Sequence, residues 1–112
     1  METYNFDPHV KGNTFLGKEF AIDIGGTPPN LTGALIQMQL RLTPIHPTAH
    51  ELSTTNGMIE INDAVNAHFR IKEQIIDFPA TNYFYDIKIT YASGKIRTYI
   101  GGYFPILQNV TR

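Results

Sequence analysis

Apolar residues recur at every second position through most of the chain, the period of an extended strand with one buried face. The clearest case is LIQMQLRL, where Ile36, Met38, Leu40 and Leu42 alternate with Gln37, Gln39 and Arg41. Pro44 and Pro47 end that strand. In FAIDI, Phe20, Ile22 and Ile24 alternate with Ala21 and Asp23 before Gly25-Gly26 and Pro28-Pro29. Proline lacks the amide donor that a ladder needs, so TPPN is a loop.

Leu52 belongs to a short strand, HELST, that stops at Asn56-Gly57, a pair that tolerates the positive φ of a tight turn. Extended structure resumes from Met58 to Ile61, and Asn62-Asp63 marks the next turn. In AHFRIK, Phe69 and Ile71 alternate with His68, Arg70 and Lys72. Residues 72–78 admit at most one helical turn, limited by Pro79, which disfavours the α region before it.

The stretch YFYDIKITYASGKIRTYIGG, residues 83–102, reads as a hairpin. Tyr83, Tyr85, Ile87, Ile89 and Tyr91 share one face, and Phe84, Asp86, Lys88 and Thr90 share the other. Ser93 and Gly94 form the tip. On the return strand Ile96, Thr98 and Ile100 point one way, and Arg97 and Tyr99 the other. Gly101-Gly102 marks a bulge or bend before Tyr103 to Leu107 continues as strand.

These elements predict an all-β fold: a single antiparallel β-sandwich of the immunoglobulin-like kind, with about seven short strands. A small closed barrel is the alternative. A parallel α/β sheet is excluded, because no crossover helices are present to build one. Residues 1–112 form one domain, of which 1–15, weakly periodic, reads as an extended N-terminal arm able to order on a neighbour.

Composition narrows the function. A chain of 112 residues, 42% hydrophobic, can bury one core without staples. With no cysteine there is no disulfide, thiolate metal site or cysteine nucleophile. The formal charge is −1 and the Lys and Arg residues are scattered, so no basic stripe for a nucleic acid is expected. No apolar run approaches the roughly 20 residues of a membrane span. The start METYNFDPHVKGN does not read as a signal peptide, so the sequons at Asn30 and Asn109 read as chance.

Candidate chemistry is sparse. His46 and His50 have the i, i+4 spacing of two ligands on a helix face, but Pro47 lies between them and no third ligand is nearby. His9 and His68 are isolated. Glu60, Asn62, Asp63 and Asn66 lack the acid spacing and central glycine of a calcium loop, and turn chemistry accounts for Asn62-Asp63. Gly25-Gly26 precedes no lysine and opens no helix. Ser53, Thr54 and Thr55 have no activating histidine and acid placed by motif. Asp23, Glu60 and Asp86 lie on separate strands. No metal, cofactor or enzymatic activity is expected. The remaining feature is aromatic: Phe84 and Tyr99, outward on paired strands, with Arg97 and Tyr103, form a candidate interface. Tyrosine suits a protein contact or a sugar-binding surface.

Three stretches carry a resemblance: NLTGALIQMQLR (30–41), ELSTTNGMIEIND (51–63) and FPATNYFYDIKITYASGKIRTYIGGYFPILQNVTR (78–112). Their order resembles small immunoglobulin-like β-sandwich structural proteins of tailed bacteriophages, including the N-terminal domain of phage baseplate upper proteins. In that pattern a D-L-T-G-A turn opens a strand, an L-x-T-x-x-G-x-I-x-I hairpin follows, and a Y-x-Y-D-L strand, a D-G turn and a terminal V-T-R complete it. Here Asn30 stands for the Asp, Ala80-Thr81-Asn82 for the glycine-containing approach, and Ser93-Gly94 for Asp-Gly. The resemblance implies a non-enzymatic virion component of tail, baseplate, neck or capsid surface. It would be made in the host cytoplasm and be held in repeated copies, as an adaptor or decoration, by other phage structural proteins. The alternative is a carbohydrate-binding module for host adhesion.

Overall fold

The structure is a computed structural model, described for residues 2–43 and 50–108. Among these residues there are eleven strands and no helix: β1 (Glu2–Thr3), β2 (His9–Val10), β3 (Thr14–Phe15), β4 (Lys18–Ala21), β5 (Leu35–Arg41), β6 (His50–Ser53), β7 (Ile59–Asp63), β8 (His68–Ile71), β9 (Gln74–Ile75), β10 (Thr81–Thr90) and β11 (Ile96–Leu107). The all-β expectation holds. The strand count exceeds the seven expected, and two of the strands, β10 and β11, are long.

The larger sheet has the order β1-β11-β10-β5-β6, with β2 also paired to β11. A three-stranded sheet runs β4-β8-β7, and β3 pairs with β9. The expectation of purely antiparallel pairing is corrected: β1 and β2 both run parallel to β11. Parallel neighbours need a long crossover. Here the partners are the first two strands and the last, so the chain between them supplies it.

Alternation places the core as its period requires. Ile36, Met38 and Leu40 of β5 and Tyr83, Tyr85, Ile87 and Ile89 of β10 are buried. Phe69 and Ile71 of β8 are buried as well, and Phe69 stacks on Phe20 of β4 at 5.4 Å. Ile22 is buried just after β4, whereas Ile24 is exposed. Side chains of both sheets form one hydrophobic cluster.

Phe6 joins the two sheets. Its ring lies 4.6 Å from Phe104 of β11, 5.1 Å from Tyr85 of β10 and 6.4 Å from Phe20. Within the stretch read as an arm, residues 2–11 lie along β11 of the same chain, with the Tyr4 amide donating to Gly101 O and the Phe6 amide to Tyr103 O, both at 3.0 Å, while Thr14 and Phe15 pair with β9. Gly102 makes room for it: a Cβ there would stand 2.3 Å from Tyr4 O. No register shift occurs at Gly101-Gly102. The bulge lies one turn of the ladder earlier, since Ile87 pairs with Ile100 but Lys88 with Thr98.

The turns follow their sequence signals. At the β10–β11 tip the Tyr91 amide donates to Lys95 O and the Gly94 amide to Tyr91 O, both at 2.8 Å. Between β6 and β7, Asn56 Oδ1 accepts from the amides of Ser53 and Met58, and the Asn56 amide donates to Ser53 Oγ. Gly57 there takes φ +80°. The helical turn allowed at 72–78 is replaced by β9, whose Gln74 and Ile75 pair with Phe15 and Thr14. Gln74 also anchors the segment by donating to Met58 O and Lys72 O.

Candidate functional site

The outer face of the larger sheet is set by register. Phe84 stands between Arg41 on β5 and Tyr103 on β11, and in the next row Asp86 stands between Gln39 and Gly101. The Phe84 and Tyr103 rings pack at 4.8 Å, tilted by 42°. Tyr103 is 41% exposed. Gly101 contributes no side chain to its row, which leaves a shallow cavity of about 340 Å³ bordered by Phe84, Tyr103, Arg41, Gln39, Asp86 and Thr3.

A polar ladder continues from this pair across the sheet. Arg41 Nη2 donates to Gln39 Oε1 at 2.6 Å, and the side-chain amides of Gln39 and Gln37 both donate to Glu51 Oε1 at 3.2 Å. Glu51 lies on β6, opposite Gln39. The face therefore combines an aromatic platform with oriented amide, guanidinium and carboxylate groups.

Tyr99 is elsewhere, which corrects its expected pairing with Phe84. The bulge inserts one residue between Thr98 and Ile100, and Tyr99 has no partner on β10. Its hydroxyl meets that of Tyr91, a residue of the opposite face. Arg97 falls opposite Ile89 and lies close enough to Tyr91 to act on its phenol. Burial, then the hydrogen bond to Tyr99, pushes the Tyr91 phenol up, and the Arg97 charge opposes the shift. Of the four interface candidates, the fold brings Phe84 and Tyr103 together, and Tyr99 and Arg97 together, at two separate places.

The remaining candidates are engaged structurally. Ser53 is buried, its hydroxyl bonded within the β6–β7 turn, and Thr54 Oγ1 accepts the Ile36 amide at 3.2 Å. His50 stacks on Phe78 at 4.4 Å, and His46 lies outside the described residues. Asp63 accepts the Asn66 amide at 3.2 Å and its side-chain amide at 2.8 Å, bonds that hold its carboxyl below the usual range. Asn62 instead bonds across to Glu19 Oε1, and that bond lowers the Glu19 carboxyl. Among the described residues no three His, Asp or Glu side chains gather as metal ligands.

Arg41, Gln39, Glu51 and Tyr91 were not singled out from sequence. Their signal lay in cross-strand register, which a single strand does not display. Comparison with protein-family models and with curated proteins finds no match to this chain.

Proposed function

We propose that this chain is an immunoglobulin-like β-sandwich that serves as a non-enzymatic structural protein of a tailed-phage virion. It acts as an adaptor or decoration, present in repeated copies and held by protein contacts. The observation that carries the reading is the Phe84–Tyr103 pair beside Arg41 on the open sheet face. Aromatic residues and Arg are the types enriched at protein interfaces, and two sheets sharing one core suit a rigid docking block. The segment order that resembles phage sandwich proteins supplies the virion context. A specific contact of standard size needs about 800 Å² from each partner.

The test is co-purification of the protein with tailed-phage particles, together with light scattering of the isolated chain. Ring-sized oligomers or particle association, lost on Tyr103→Ala, support the reading. A strictly monomeric protein that never associates with particles overturns it.

The polar ladder favours one second reading, a carbohydrate-binding surface. Sugar rings stack on aromatic faces while amides and carboxylates bond their hydroxyls, and Gln39, Gln37 and Glu51 stand next to such a face. Glycan-array binding that disappears with Tyr103→Ala would select it over the first.

A further inference from the structure

A second cavity, of about 470 Å³, lies beside the β10–β11 tip and is lined by Tyr91, Tyr99, Lys95, Arg97, Asn30 and Ser93, with Ile24 and Pro29 at its border. Every polar side chain in its walls carries a hydrogen-bond donor, set among the apolar surfaces of the tyrosine rings, Ile24 and Pro29. Lysine and arginine have no acceptor at all. Among the described residues the ion pairs are Lys11–Asp77, His68–Glu19 and Arg70–Glu60, and neither Lys95 nor Arg97 takes part in one.

The polar neutral groups point to the same chemistry. Asn30 Oδ1 already accepts the Thr32 amide at 2.9 Å and the Thr32 hydroxyl at 2.7 Å, which leaves its side-chain NH₂ as the group on offer. Ser93 Oγ accepts the Lys95 amide at 3.5 Å, so its own proton remains to be donated. When the Tyr91 and Tyr99 hydroxyls bond each other, one proton is used and the other is left over. Among the described residues no carboxylate lines this cavity. Arg97 also borders a neighbouring cavity that includes Glu2 and Asp23, whereas Lys95 does not.

We propose that this cavity is an oxyanion site that receives a carboxylate from an acidic segment of the protein partner on which the chain docks. The inference rests on the docking reading above and names the partner's chemistry. Two cations and several neutral donors around one opening fit an acceptor-only group, for which charge-assisted bonds are the strong ones. The cations are exposed, so affinity comes from several modest contacts acting together.

The test is a ¹H–¹⁵N NMR titration of the isolated chain with a blocked peptide of alternating Glu and Gly. A Gln–Gly peptide, sodium acetate and sodium sulfate at matched ionic strength serve as comparisons. The expected result is saturable shifts at Ser93, Lys95, Arg97 and Asn30 with the Glu peptide and none with the Gln peptide. Lys95→Gln and Arg97→Gln, on the exposed hairpin end, should each weaken binding about two- to fivefold. Asn30→Asp retains the acceptor for Thr32 but places a carboxylate in the wall, and should weaken it at least about fivefold. Shifts absent or scattered over the surface, or binding unchanged in all three variants, would overturn the site. Sulfate binding more tightly than the Glu peptide would overturn the acidic partner. Because the titration uses the isolated chain, its outcome is separate from whether the chain associates with phage particles.

Discussion

Phe84 and Tyr103 face each other across the β10–β11 ladder, ring centroids 4.8 Å apart, while Arg41 occupies the same row on β5. The β10–β11 hairpin and β5, distant from it in sequence, thus present one aromatic and cationic row on the outer face. Cross-strand aromatic pairs contribute about 0.2–1 kcal/mol to stability. Tyr103→Ala should therefore cost about that much in urea unfolding while abolishing docking. A loss of several kcal/mol would mean that Tyr103 supports the fold more than it serves a partner.

Phe6 is 7% exposed and touches aromatic rings from both sheets. Truncating such a buried ring costs about 3–5 kcal/mol, so Phe6→Ala should lower the urea midpoint of the isolated chain by a corresponding amount. A cost below about 1 kcal/mol in monomeric protein would show that the N-terminal segment does not pack on its own chain.

Gly102 tests the same segment from the other side. A methyl group there would meet Tyr4 O at 2.3 Å, and overpacking of this kind costs about 1–3 kcal/mol. Gly102→Ala should speed hydrogen exchange at the Tyr4 and Phe6 amides, which bond Gly101 O and Tyr103 O. Gly57→Ala makes the comparison. Gly57 has φ +80° and nothing within 4 Å of an added Cβ. It should cost about 1–2 kcal/mol through left-handed strain alone, and leave those two amides protected.

The same residues explain what the sequence displayed and what it concealed. The face shared by Tyr83, Tyr85, Ile87 and Ile89 was legible because alternation alone decides which side of a half-buried strand is apolar. Tyr99 was misplaced because one inserted residue reverses the facing of everything beyond it, and a bulge leaves no mark on an alternating pattern. Gly101-Gly102 did signal something, but its cause was the approach of Tyr4 from the opposite end of the chain. Two-residue strands such as β2 and β9 are too short to carry a period, so their pairing rests on partners that no local pattern names.

Alkaline pH offers a test that reads the tyrosines directly. Burial pushes the phenols of Tyr83, Tyr85 and Tyr91 above the ordinary range. The Tyr83 hydroxyl donates to Pro79 O at 2.7 Å and the Tyr85 hydroxyl to Tyr4 O. An ionised phenolate could not donate either bond. In the unfolded chain a phenol ionises near pH 10. Above that value the folded state holds more protons than the unfolded one, so stability falls as pH rises. The stabilisation is fully present below about pH 10 and is lost progressively toward the raised folded values. Urea midpoints should be flat with respect to these groups at neutral pH and decline above that point, with phenolate absorbance from the three tyrosines lagging behind that of the unfolded chain. Tyr85→Phe removes one contributor and should make the decline shallower. A decline of equal slope in that variant would show that Tyr85 is not held protonated by its place in the core.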